Sequence, residues 1–146
     1  MGESSEPTQP ISAGVWFFKY PELNEFQLAN SDVLTYHNYS DPGNHQLWID
    51  LLKTHGRPMI CTEYMARRNN SLFSNVMPVL KKNNVGAINW GFVSGKTNTI
   101  FAWDEPKPNE KEPVLWFHDI YRQDKTPFDP KEVELIKKLT GKISDV

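Results

Sequence analysis

Four short apolar runs, at residues 11–18, 33–39, 59–64 and 85–92, alternate along the chain with helical or irregular stretches. Each run has the length of a strand and is bounded by Pro, Gly, Asn or Asp. Strand alternating with helix implies parallel strands with helices packed outside them. This rhythm is the strongest constraint on the fold, and it predicts an α/β domain.

The intervening stretches carry their own signals. Residues 45–55 place Leu47, Trp48, Leu51 and Leu52 at helical spacing, and Gly56 supplies a stop. Residues 71–83 offer Ser71 as an N-cap before a stripe of Leu72, Phe73, Val76, Met77 and Leu80. Pro78 interrupts that stripe and is expected to kink the helix or end it early. Residues 21–32 leave room for a turn or two of helix. A final helix is signalled by Asp129 as cap, Pro130 at the first position and Glu132 completing a capping box. Val133, Ile136 and Leu139 form its stripe, and Gly141 ends it. Residues 94–113 read as a long loop, and a loop of that length inside a compact domain is usually functional. The expected organisation is a disordered segment over residues 1–10 and one domain over residues 11–146. Four β-then-α units amount to half of an eightfold barrel, whose reactive residues sit at the C-terminal ends of the strands.

Composition removes several classes of function. The formal net charge of the 146 residues is −2, and Lys and Arg are dispersed, which argues against a nucleic-acid partner. No apolar run approaches the roughly 18 residues of a membrane span. The single cysteine, Cys61, excludes an intrachain disulfide. His45, His55 and His118 are scattered without ligand spacing, so neither a catalytic metal nor another cofactor is expected. Residues 1–8 are polar and lack the apolar stretch of a secretion signal. Two glycosylation sequons begin at Asn38 and Asn69, a three-residue pattern that arises readily by chance. Aromatic residues make up 12% of the chain, with five Trp. Such side chains offer flat faces that suit sugar rings, and they equally suit a large core.

The strand ends carry the candidate chemistry. The third run reads Met59-Ile60-Cys61-Thr62-Glu63-Tyr64. Strand alternation puts Met59, Cys61 and Glu63 on one face. A carboxylate ending an apolar strand costs free energy unless it is paired or lies in a cleft. Alone, Glu63 would be read as a solvated strand end or an ion-pair partner. The second run, however, ends with His37 and Tyr39 on one face, and these can hold a neighbouring carboxylate by hydrogen bonds. The fourth run ends Asn89-Trp90-Gly91, which brings an indole to the same rim.

The ordered set His37-Asn38-Tyr39, Glu63 and Trp90 resembles glycoside hydrolase clan A, most closely the cellulase-like family 5 and its bacterial β-1,4-xylanase relatives. That family carries His-x-Tyr after strand six, a nucleophilic Glu after strand seven and a Trp after strand eight. The stretches TYHNYSDP, GRPMICTEYMAR and INWGFVSGKTNT are also similar to this group. The resemblance implies an α/β fold made of strands five to eight of a (β/α)8 TIM barrel. It further implies a retaining glycosidase cleaving a β-linked polysaccharide of the xylan or glucan class. Glu63 would be the nucleophile, His37 and Tyr39 would orient it, and Trp90 would floor the sugar at the cleavage point. Trp16 would offer another stacking face unless it is core. Asn38, Lys96, Asn98, Trp103 and Asp104 are candidate substrate contacts, the last four on a loop that could equally be solvated.

The family's acid/base Glu follows an Asn at the end of strand four, and no Asn-Glu-Pro precedes the first run. Asn24-Glu25 comes after that run, among neighbours that fit a loop. The family's Arg and His from strands two and three have no counterparts either. The expectation is a half barrel that bears the nucleophile, lacks the acid/base and does not cleave polysaccharide unaided. Its partners would be a β-linked oligo- or polysaccharide and either a second copy of the chain or an N-terminal half barrel. The parent enzyme would be secreted or periplasmic. The competing reading is a carbohydrate-binding or structural half barrel without catalysis.

Overall fold

The computed structural model describes residues 8–105 and 112–142. Residues 1–7 of the expected disordered segment, and residues 106–111 of the long loop, lie outside the described residues. The element order is α1 (Pro21–Ala29), β1 (Leu34–His37), α2 (Pro42–Lys53), β2 (Met59–Glu63), α3 (Phe73–Lys82), β3 (Gly86–Ala87) and α4 (Pro130–Leu139). The strands form a parallel three-stranded sheet in the order β1-β2-β3. Mixed α/β content with parallel strands is what the alternating runs predict.

The first run does not form a regular strand. Only Val15 bridges β1, through Val15 N–H to Thr35 O at 2.9 Å and His37 N–H to Val15 O at 3.1 Å. Around it, side chains take over ladder positions. The Ser12 hydroxyl donates to Val33 O at 2.6 Å, and Ala13 N–H donates to the Ser31 hydroxyl at 3.1 Å. Ser, Ala and Gly in succession also give this stretch little β-propensity. The fourth run is likewise cut to Gly86–Ala87. A Cβ at Gly86 would lie 3.2 Å from the Ile60 side chain, a tight contact that the glycine avoids where β3 pairs with β2.

The core fills the space between one sheet face and the helices. Leu34, Tyr36, Met59 and Cys61 from the sheet meet Ile49 and Leu52 of α2 and Phe73, Val76 and Leu80 of α3. Helix α2 begins earlier than its apolar spacing indicates, because Asp41 caps it by accepting from Gly43 N–H at 2.8 Å and Asn44 N–H at 3.2 Å. Its buried face also differs from expectation: His45, Ile49 and Leu52 are buried, whereas Leu47 and Leu51 are exposed. Trp48 is half-buried and stacks on Tyr36, centroids 6.2 Å apart. Helix α3 starts after Leu72, whose N–H is held by the Asn75 side chain at 2.9 Å. Ser71, the expected cap, instead donates to Tyr64 O. The helix runs on through Pro78 to Lys82, carried by its buried stripe. In α4, Asp129 caps as expected, but Glu132 turns away from the capping box to meet Arg67.

Arg67 is the fastener of the C-terminal part. Its buried guanidinium makes a forked pair with Glu132 at 2.9 and 2.6 Å and donates to Trp116 O at 3.1 Å and Asp119 O at 3.0 Å. It also stacks 4.5 Å from the Phe128 ring. One side chain thereby joins the end of β2 to α4 and to the irregular segment that precedes it. Arg57, just before β2, donates to Leu28 O and Ser31 O at 2.5 and 2.6 Å.

Candidate active site

Regular alternation would send Glu63 to the same side as Met59 and Cys61, and a β-bulge prevents this. Leu34, Thr35 and Tyr36 pair in step with Met59, Ile60 and Cys61, and then His37 pairs with Glu63. Thr62 is the extra residue, its hydroxyl donating to Tyr36 O at 3.2 Å. Met59 and Cys61 therefore stay in the core, where burial pushes the Cys61 thiol up to about 12. Glu63 turns to the open side of the sheet with His37. Bulges re-aim single side chains in this way and are frequent beside active sites.

On the open side the Tyr39 hydroxyl donates to Glu63 Oε2 at 2.6 Å, and His37 Nδ1 stands 3.4 Å from the same oxygen. Burial, and then the bond to Glu63, hold the Tyr39 phenol protonated well above its ordinary range. The hydroxyl thus acts as a fixed donor to one carboxylate oxygen.

A cleft of about 1270 Å³ opens above these three residues. That exceeds the ~300–1,000 Å³ of a typical small-molecule pocket. Trp16, Phe17, Phe18, Trp90 and Trp103 contribute aromatic walls. Trp16, Trp90 and Trp103 are 61%, 49% and 59% exposed, so their faces are not used up by the core. Glu63 is the one carboxylate among the described residues that line the cleft.

The structure thus gathers Glu63, His37, Tyr39, Trp16, Trp90, Asn38, Asn98 and Trp103 about one cleft, and it leaves Lys96 and Asp104 outside the lining. Asp104 pairs with Arg68 at 2.8 Å. Asn38 lines the cleft, but its amide is engaged locally, donating to Asn44 Oδ1 at 3.1 Å and accepting from Ser40 N–H at 2.9 Å. Comparison of the chain with family profiles, with curated proteins and with solved structures found no match. Among the described residues no group of three or more His, Cys, Asp or Glu is arranged to hold a metal ion. No helix among them is long and apolar enough to cross a membrane.

Sequence reading missed His118 in the cleft wall. The imidazole is buried, its Nδ1 lies 2.6 Å from Met65 O, and its ring packs against Tyr39, Trp103 and Phe117. Burial lowers its basicity, opposed by the Met65 carbonyl. The available signal was a histidine directly after Trp116 and Phe117, in a stretch that reads as the sequel of a loop.

Proposed function

We propose that this chain is the nucleophile-bearing half of a retaining glycoside hydrolase acting on a β-linked polysaccharide of the xylan or glucan class. The observation that carries the proposal is the bulge-directed cluster of Glu63, Tyr39 and His37 under a long aromatic cleft. A carboxylate with one oxygen held by a phenol has its other oxygen free to attack an anomeric carbon. Indoles on both sides suit the apolar faces of sugar rings. The parallel strand ends that present the cluster are where a (β/α)8 barrel carries its chemistry. In this reading Glu63 is the nucleophile, Tyr39 and His37 orient it, and Trp90, Trp16 and Trp103 hold substrate.

Retaining hydrolysis takes two carboxyl groups about 5–5.5 Å apart, the second protonating the leaving oxygen. The cleft offers one among the described residues, so the second has to come from a complementary half barrel or a second copy of the chain. The same observation favours a second reading, a module that binds β-linked sugar and does not cleave it. Incubation with two classes of substrate separates the two. An aryl glycoside with a good leaving group needs little acid assistance. The catalytic reading predicts slow aryl release that disappears in Glu63→Gln, with no cleavage of xylan or β-glucan. Release that is unchanged in Glu63→Gln, or Glu63-dependent cleavage of polysaccharide by the chain alone, contradicts it.

A further inference from the structure

A carbonyl oxygen only accepts, so the 2.6 Å contact to Met65 O fixes the proton of His118 on Nδ1. The lone pair of the imidazole then resides on Nε2. That atom is buried and has no hydrogen-bond partner among the described residues. An acceptor left in this state has lost its hydration without replacement, and folded proteins retain few of them without a use. The ring belongs to the wall of the cleft that holds Glu63.

The rings around His118 differ in freedom. Tyr39 is tethered by its hydroxyl to Glu63, and Phe117 is buried. Trp103, with centroid 5.6 Å from the imidazole, is 59% exposed on an irregular segment. It is the most exposed of the three and lies outside the core cluster.

We propose that His118 is a substrate-binding residue, its Nε2 accepting a hydrogen bond from a hydroxyl of the sugar bound beside Glu63 once Trp103 moves aside. The ligand class is a polyol with a hydroxyl donor and an apolar ring face. The hydroxyl satisfies the orphan acceptor, and the displaced indole is free to lie against the ring that displaced it. Burial lowers the basicity of the imidazole, which favours the neutral form that carries the lone pair. The assignment rests on the carbohydrate reading of the cleft and adds a specific polar contact to it.

The full chain, labelled with ¹⁵N-histidine, tests this by titration with xylohexaose and with cellohexaose. Tryptophan fluorescence reports binding, and the ¹⁵N resonance of His118 Nε2 reports its own hydrogen bond. The expected result is saturable binding of at least one sugar with a matching displacement of the Nε2 resonance. His118→Asn keeps a donor near Met65 O and leaves no acceptor at the position of Nε2, and it is expected to weaken binding about tenfold. Saturable fluorescence with an unmoved Nε2 resonance, or undiminished affinity in His118→Asn, removes His118 from the site and leaves the carbohydrate reading standing. No response to either sugar by either readout overturns that reading and the role of His118 with it. Should His118→Asn not fold, the Nε2 displacement in the unaltered chain decides.

Discussion

The Tyr39 hydroxyl lies 2.6 Å from Glu63 Oε2, across two parallel strands whose register slips by one residue just before the pair. The slip is what allows the contact. In an unbroken register Glu63 would follow Cys61 into the core, where an unpaired carboxylate is not sustainable.

Tyr39→Phe isolates that hydrogen bond. Phenylalanine preserves the ring contacts with Trp103 at 4.9 Å and His118 at 5.4 Å. A hydrogen bond to a charged group is worth about 1.5–3 kcal/mol, so the rate of attack by Glu63 on an activated aryl glycoside is expected to fall roughly ten- to a hundredfold. Thermal stability should change little. A rate equal to that of the unaltered chain would show that the phenol does not position the carboxylate.

Arg67 is predicted to matter for folding rather than chemistry. Removing one partner of a buried, hydrogen-bonded ion pair strands the other and costs about 3–5 kcal/mol. Arg67→Met leaves Glu132, Trp116 O and Asp119 O without their donor. Urea denaturation should show a loss of that order. A loss below about 1 kcal/mol would mean that the C-terminal segment is held by its apolar contacts alone.

His45 sets a pH dependence of stability. Burial is the main cause that pushes its basicity down to about 4, against opposing contributions from the Asn38 backbone and Asp41. The unfolded chain, with an ordinary histidine near 6.5, binds the proton more readily. The stabilisation is therefore complete above about pH 6.5 and is lost as pH falls from there to about 4. About 3 kcal/mol should disappear between pH 7 and pH 4 from this residue, an order-of-magnitude figure from the size of the shift. Urea midpoints measured across that range, with His45→Leu as the comparison, read it directly. An identical slope in His45→Leu would assign the acid sensitivity elsewhere.

Self-association is expected at the open side of the sheet. Phe18, Ile88 and Phe92 are 72%, 52% and 65% exposed, and they belong to the first and fourth runs at the two ends of the strand array. Exposed apolar patches and free strand edges both favour pairing with another chain. Of the loop, Thr97, Asn98, Thr99, Phe101, Ala102 and Trp103 line the cleft on that side. Light scattering over a dilution series should find a dimer or larger species at tens of micromolar, an order-of-magnitude range for such association. A monodisperse monomer there contradicts it.

The sequence disclosed the alternating α/β order and the three residues of the central cluster, because strand ends are short and their chemistry is local. It concealed the bulge at Thr62, since inserting one residue into a parallel pair leaves the apolar pattern Met59-Ile60-Cys61 unchanged. Strand length was overestimated at both ends of the sheet. Ser12 and Ser31 replace ladder bonds with side-chain bonds there, and at the other end only Gly86 and Ala87 pair with β2. The face of α2 was misjudged because its cap begins at Asp41, ahead of the apolar spacing, and burial falls on His45 and Ile49. Arg67 and His118 were opaque for one reason. Their partners lie 65 and 53 residues away, Glu132 and Met65 respectively, and no local pattern encodes such a distance.

The central claim is that Glu63 attacks an anomeric carbon. A 2-deoxy-2-fluoro glycoside with a dinitrophenolate leaving group needs no protonation to depart, and its fluorine slows hydrolysis of the glycosyl-enzyme ester. Exposure of the chain to the xylo and gluco forms, followed by intact-mass and peptide-mass measurement, reads the nucleophile without requiring the acid/base carboxyl. The account predicts one glycosyl adduct per chain, located on Glu63 and absent from Glu63→Gln. An adduct on another residue, or no adduct with either sugar while the cleft binds the parent oligosaccharide, would contradict it.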